Sequence, residues 1–130
     1  MNGKFLLDTS VVIANLRRET TIQEHLTQIR EIYIPIIVLG ELYFGVSRSN
    51  RTTENMISID DFAANVSILD CDRDTAYRYA FIKGQLCKIG KPIPDNDIWI
   101  AAIAKQYGLV LATRDNHFVN VDDLIELEIW

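Results

Sequence analysis

Residues 97–113 read DIWIAAIAKQYGLVLAT, and this stretch decides the class of fold. Residues 97–107 are strongly apolar and predict a buried helix, which Gly108 ends. Residues 109–113 follow at once and predict a buried strand, because a short apolar run beside a turn residue is typical of the inside of a parallel sheet. A helix that leads directly into a buried strand is the repeating unit of α/β proteins.

The same alternation continues on both sides of this stretch. Buried strands are predicted at residues 4–8, 32–35 and 66–69, with a short fifth strand at 124–128. Helices are predicted at residues 11–18, 36–44, 50–65 and 72–89, with a further one capped by Thr20 or Thr21. Strands that alternate with helices imply a mostly parallel sheet of four to five strands with helices on both faces. No linker or repeat divides the 130 residues, so we predict one domain that spans residues 1–130.

The composition is that of an ordinary folded protein, with 48% hydrophobic residues and a net charge of −5. Nucleic-acid binders are usually basic, so the net charge alone argues against one. It is compatible with an enzyme that meets phosphate through divalent cations, which clustered carboxylates would recruit. No apolar stretch approaches the ~20 residues of a membrane span or forms the apolar core of an export signal. We therefore expect a cytoplasmic protein without membrane association, in which Cys71 and Cys87 are free thiols.

Glu41 is the most informative single residue, because it interrupts the apolar segment IIVLGELYF at residues 36–44. A carboxylate buried there without a partner would destabilise the fold by several kcal/mol. The side chain therefore faces solvent, pairs with an arginine or faces a cation, and the sequence alone leaves all three explanations open.

Three aspartates stand near predicted element ends, where each also has an ordinary structural explanation. Asp8 and Asp97 could act as helix caps, and Asp115 could be a turn residue. In parallel α/β folds, however, ligands bind beyond the carboxyl ends of the strands. Asp8 ends the first strand and Asp115 lies two residues after the fourth. With Asp97 at a helix start and Glu41 within a helix, we expect four carboxylates to converge at one sheet edge.

Four carboxylates in close proximity repel one another strongly unless cations are present. Ligation by oxygen alone suits Mg²⁺ or Mn²⁺ and not zinc, and we expect neither His25 nor His117 to be a ligand. Such a centre favours hydrolysis of phosphodiesters, because the metal lowers the pKa of a bound water, orients the phosphate and offsets developing negative charge.

Four segments carry a specific resemblance: DTS at residues 8–10, GELYFG at 40–45, IPDNDIWIAA at 93–102, and TRD at 113–115 with Phe118. In this order they resemble the motifs of VapC-type PIN domains, which are the toxin half of bacterial VapBC toxin–antitoxin pairs. The resemblance covers nearly the whole chain and extends to the closing Trp130. It implies a PIN-like three-layer α/β/α fold and a Mg²⁺-dependent endoribonuclease, with Mn²⁺ as a substitute ion.

The resemblance also implies which residues form the site. Four acids and two supporting hydroxyl groups match the motifs, namely Asp8, Glu41, Asp97, Asp115, Thr9 and Thr113. Asp8 and Asp97 would be the principal metal ligands, and Glu41 would complete the acidic site. The fourth position varies within the family: some members carry asparagine where Asp115 stands, and His117 occupies a position that is often acidic.

Partners follow from the same resemblance. Toxins of this family are usually neutralised by a VapB-like antitoxin whose C-terminal segment lies in an apolar groove, and homodimers are typical. Met56, Ile59 and Phe62, with the apolar helix at residues 42–44, are either walls of such a groove or simply core. Three basic side chains are available to contact the phosphates of RNA, or are ordinary surface charges: Arg114, Lys88 and Lys91.

Other functions fit the sequence less well. A response-regulator receiver domain would place its phosphoacceptor near Asp70, but it requires an acid pair after the first strand that this chain lacks. A haloacid-dehalogenase-type phosphatase requires a second acid at position 10, which is Ser10. A catalytically weak PIN module that acts through binding, and an RNA-processing nuclease outside a toxin–antitoxin pair, stay open as alternatives.

Overall fold

The computed structural model describes residues 3–130. Met1 and Asn2 lie outside the described residues, although they belong to the predicted domain and to the segment in which no export signal is expected. Five strands in this part of the chain form one sheet: β1 (Lys4–Leu7), β2 (Glu31–Pro35), β3 (Ser67–Leu69), β4 (Val110–Thr113) and β5 (Glu126–Ile129). Their order is β3-β2-β1-β4-β5, and every neighbouring pair is parallel. The predicted parallel sheet is confirmed.

Helices occupy most of the remaining chain. Within residues 3–130 these are α1 (Thr9–Leu16), α2 (Thr20–Thr27), α3 (Ile36–Ser47), α4 (Thr52–Ala64), α5 (Arg73–Ile89) and α6 (Asp95–Tyr107). A 3-10 helix, Asn116–Val121, follows β4. The arrangement is the three-layer α/β/α fold expected from the sequence. None of the helices in the described residues has the length and apolar character that crossing a membrane requires.

Several bounds differ from the predicted ones by one or two residues, among them those of α1, α4 and β5. α3 continues through Gly45 to Ser47, because a glycine inside a helix costs about 1 kcal/mol but leaves its backbone hydrogen bonds intact. α6 begins at Asp95, directly after Pro94, and not at Asp97. The residues before Asp97 can occupy the first turn, because the N–H groups there need no partner within the helix. The 3-10 helix after β4 is absent from the prediction.

α6 lies almost entirely within the core, where residues 100–104 are buried. Three of these five residues are alanines, so the helix packs closely against β4 and α5. Gly108 ends the helix with a φ of 63°, a left-handed conformation that glycine adopts without strain. The stretch that decides the fold class therefore also forms the centre of the structure.

The two central strands bring distant segments together at the carboxyl edge of the sheet. β1 and β4 are paired up to Leu7 and Ala112, and the N–H of Asp8 extends the ladder by donating to the Ala112 carbonyl at 3.2 Å. The N–H of Trp130 donates to the Thr113 carbonyl at 2.8 Å, which holds the end of β4. Asp8 and Thr113 consequently lie side by side although they are 105 positions apart in the chain.

Candidate active site

Asp8 joins β1 to α1 and has both of the roles that the sequence left open. Its Oδ1 accepts hydrogen bonds from the backbone N–H of Val11 at 3.3 Å and the hydroxyl of Ser10 at 2.5 Å, so it caps α1. Its Oδ2 accepts a bond from the Thr113 hydroxyl at 2.6 Å. Burial raises the pKa of Asp8 above its ordinary value, and these hydrogen bonds oppose the rise. Asp8 therefore caps α1 while its carboxylate stays at the edge of the sheet.

Thr113 connects two of the predicted acids. Its side chain is fully buried, and its hydroxyl donates to Asp8 while accepting the backbone N–H of Asp115 at 2.8 Å. Asp115 in turn accepts the backbone N–H of His117 at 2.9 Å through Oδ1 and begins the 3-10 helix. The turn role of Asp115 is thus present, and it brings the carboxylate into the same cluster as Asp8.

Thr113→Val is expected to lower the free energy of unfolding by about 1–2 kcal/mol, because valine keeps the shape but leaves Asp8 and the N–H of Asp115 without this partner. Thr113→Ser keeps the hydroxyl and should lose less than about 1 kcal/mol, the contribution of one buried methyl group. Urea denaturation of both variants measures the difference. A larger loss in Thr113→Ser than in Thr113→Val would show that the methyl group, and not the hydroxyl, stabilises this position.

Asp97 is the third residue of α6, and its Oδ2 lies 3.3 Å from Nδ1 of His117. Its pKa rises to about 6, first because burial removes water from the carboxylate, and then because of the charges of Asp115 and Asp8, while His117 opposes the rise. Asp115 and Asp8 thus act on Asp97 from the same edge of the sheet, in addition to its burial. A cation at this edge would relieve their mutual repulsion.

Glu41 projects from α3 towards the same edge and is half-buried. Its Oε1 accepts the Thr9 hydroxyl at 2.5 Å, and its Oε2 accepts the amide of Asn96 at 3.4 Å. No ion pair forms at Glu41 among residues 3–130, so pairing with an arginine does not explain it in this part of the chain. Its two partners are the neighbours in sequence of Asp8 and Asp97, which ties Glu41 to both.

The tightest cluster differs from the predicted set of four acids. Asp97, Asp115 and His117 each offer a ligand atom, and these atoms lie within 4.8 Å of one another. Asp8 is linked to Asp115 through the Thr113 hydroxyl, and Glu41 bonds to Asn96 beside Asp97, but neither acid belongs to this group. Neither histidine was expected to be a ligand, yet the ring of His117 lies within this group. The other histidine, His25, stacks on Trp130 with ring centroids 4.5 Å apart.

Three residues that contact the acids were not singled out from the sequence. Ser10 bonds to Asp8, Asn96 bonds to Glu41, and His117 lies beside Asp97. The first two stand within the quoted motifs, directly beside a predicted acid or two residues from it, and that proximity is a signal that could have identified them. The signal for His117 was its occupation of a position that is often acidic in the family, but its placement depends on the unpredicted 3-10 helix.

The predicted basic contacts lie at different distances from this edge. The backbone N–H of Arg114 donates to the Ser10 hydroxyl at 3.0 Å, whereas its guanidinium pairs with Glu19 at 2.7 Å. Lys88 and Lys91 are exposed and form no ion pair within the described residues. Only Arg114 therefore has a contact that places it beside the acids.

A groove of about 320 Å³ lies next to Glu41 and is lined by parts of α1, α3 and α4. Of the predicted groove walls, Leu42 and Ile59 line this groove and are also buried core residues. The other predicted walls do not line it, namely Tyr43, Phe44, Met56 and Phe62.

Comparison with known proteins places this geometry in a family. Residues 5–124 match the model of the PIN domain. Ribonuclease VapC2 of Haemophilus influenzae is 36% identical over 116 residues, and the tRNA(fMet)-specific endonuclease VapC of Shigella flexneri is 27% identical over 114, with 86% of each chain covered in both cases. Among solved structures, a chain of the Rickettsia felis VapBC2 complex with promoter DNA has a TM-score of 0.89 and 25% identity over 98% of both chains. The chain belongs to the PIN-domain family, within its VapC group.

Proposed function

We propose that this chain is a divalent-metal-dependent endoribonuclease that hydrolyses RNA phosphodiesters. The observation that carries the proposal is the meeting of Asp97, Asp115 and Asp8 at one edge of the sheet, where burial first, and then the charges of Asp115 and Asp8, raise the pKa of Asp97 to about 6. Like charges held together destabilise a protein, and a bound cation removes that repulsion. The ribonuclease activity named for the VapC relatives supports RNA as the substrate.

The side chains at this edge suit Mg²⁺ or Mn²⁺, because most of the donor atoms are carboxylate oxygens, which both ions prefer. We assign Asp8 and Asp97 as the principal ligands, with Glu41 and Asp115 completing the site. When bound, the ion supplies a water of lowered pKa and offsets the negative charge that develops on the phosphate.

The chain's own residues prepare this site. The Thr113 hydroxyl orients the carboxylate of Asp8, and the Thr9 hydroxyl orients that of Glu41. With a pKa of about 6, Asp97 is mostly ionised at neutral pH and can therefore bind a cation. We propose Arg114, together with Lys88 and Lys91, as contacts for RNA phosphates.

We propose a VapB-like antitoxin as the partner, since the similar solved structures include VapBC complexes. The groove beside Glu41 is the surface on which an apolar antitoxin segment would lie, with its end close to the acids. A homodimer, a cytoplasmic location and a single domain over residues 1–130 are further parts of the proposal.

Cleavage of total RNA by the purified protein tests the proposed activity. We expect cleavage in Mg²⁺ or Mn²⁺, none in EDTA, and recovery when either ion is added back. Glu41→Gln should require a higher metal concentration, and the co-encoded antitoxin should suppress cleavage. Activity that is insensitive to the chelator would contradict the metal centre, and RNA binding without cleavage would indicate a module that acts through binding.

A further inference from the structure

One nitrogen donor lies within the acidic cluster. Nδ1 of His117 is 3.3 Å from Oδ2 of Asp97 and 3.2 Å from Oδ2 of Asp115. We propose that His117 is a ligand of the metal ion and makes the centre prefer Mn²⁺ to Mg²⁺. This inference rests on the proposed function, because it requires that the cluster holds a divalent ion.

The separations match those of atoms that share one ion. Ligand atoms about 2.1 Å from an octahedrally coordinated ion lie about 3 Å from their neighbours around it. Asp97, Asp115 and His117 provide three such atoms, all within 4.8 Å of one another. The side chain of His117 is 53% exposed and that of Asp97 is 14% exposed, so an ion can reach the cluster from solvent without disturbing the core.

The backbone holds the imidazole in this place. Asp115 accepts the N–H of His117 at 2.9 Å, which sets the start of the 3-10 helix. The next residue, Phe118, is fully buried and anchors that helix in the core. The backbone of His117 is therefore fixed beside the two carboxylates before any ion binds, and such preorganisation favours ligation.

A simple ion pair between a protonated His117 and the two aspartates is the competing explanation. Nδ1 of His117 lies 3.3 Å from Oδ2 of Asp97 and 3.0 and 3.2 Å from the two carboxylate oxygens of Asp115. These distances fit both explanations, and metal binding distinguishes them. The two explanations predict opposite effects of His117 on metal affinity. A paired imidazolium competes with a cation for the carboxylates, whereas a neutral imidazole helps to bind it.

The preference between ions follows from the chemistry of the donor. Mg²⁺ favours oxygen ligands, whereas imidazole nitrogen binds transition-metal ions more readily. One nitrogen among carboxylate oxygens therefore adds more to the affinity for Mn²⁺ than to that for Mg²⁺. Removal of the imidazole should make the two affinities more alike.

Calorimetric titration of wild-type protein and His117→Asn with Mn²⁺ and Mg²⁺ tests the inference. We expect the affinity for Mn²⁺ to fall about 10-fold in the variant, and the affinity for Mg²⁺ to change by less than about 2-fold. Pulsed electron paramagnetic resonance of bound Mn²⁺ should show a nitrogen coupling in the wild type that the variant lacks. His25→Asn is the matched control, because this histidine stacks on Trp130 and should leave both affinities and the coupling unchanged.

Three results would overturn the inference. Unchanged or tighter Mn²⁺ binding by His117→Asn, or wild-type protein without nitrogen coupling, would remove His117 from the ligands and leave a carboxylate centre and the proposed function intact. Wild-type protein that binds neither ion would overturn both proposals. His117→Gln, a second variant of an exposed position, separates loss of the ligand from any folding defect of the first, with thermal unfolding in EDTA as the check.

Discussion

Asp97→Asn and Asp8→Asn are each expected to reduce RNA cleavage by more than about 100-fold while the protein stays folded. Loss of a side chain that merely supports a metal ligand costs about 10–100-fold, and these two aspartates are the proposed ligands themselves. Asparagine keeps the size of each side chain and removes its charge. The measurement is the initial rate of cleavage of one RNA in saturating Mg²⁺, with circular dichroism to verify folding.

Asp95→Asn provides the matched control for this experiment. Asp95 lies two positions before Asp97 on α6, but it bonds to Lys83 and Tyr79 on α5. Neither of these bonds involves the acidic cluster, so replacement of Asp95 should change the rate of cleavage by less than about 2-fold. Cleavage that persists in both the Asp8 and the Asp97 variants would contradict their assignment as ligands.

The second large effect is on stability: Asp97→Asn should raise the free energy of unfolding of the metal-free protein by about 2 kcal/mol near pH 8. The pKa of Asp97 rises from 3.8 to about 6, chiefly through burial and then through the charge of Asp115. About two pKa units correspond to roughly 3 kcal/mol of destabilisation by the ionised form, and loss of the contact with His117 offsets part of the gain.

The sign of the pH dependence follows from the direction of the shift. A raised pKa means that the folded protein binds a proton at Asp97 more tightly than the unfolded chain does. The destabilisation is therefore complete above a pH of about 6 and disappears as the pH falls below the ordinary value of 3.8. The advantage of Asp97→Asn should shrink over this interval, from near pH 8 towards pH 4.

Urea denaturation in EDTA at about pH 8 and about pH 4.5 measures this effect. Asp95→Asn is the control here as well. Lys83 and then Tyr79 lower the pKa of Asp95, so its ionised carboxylate stabilises the folded protein. Asp95→Asn should therefore be less stable than the wild type near pH 8. Addition of Mg²⁺ should stabilise the wild type more than Asp97→Asn. Equal stability of wild type and Asp97→Asn at both pH values would place Asp97 outside a repelling cluster.

Local signals in the sequence predict most of the helices and strands, because burial and chain termination act over a few residues. Gly108 ends α6 as expected, and Gly90 ends α5 in the same left-handed conformation. The same kind of signal was wrong at Gly45, where neighbouring core contacts by Leu42 and Val46 keep α3 helical. The 3-10 helix escaped prediction because its six residues are too few to show a periodic pattern.

The sequence by itself determined the parallel α/β class and the meeting of Asp8 and Asp115 at one edge, because the carboxyl ends of parallel strands lie on the same side of a sheet. Only the tertiary structure decided the order of the strands, the bond from Thr113 to Asp8 and the entry of His117 into the cluster. These depend on contacts between segments up to 105 positions apart. The pattern of apolar residues in one chain records how deeply each residue is buried, but not which distant residue it touches.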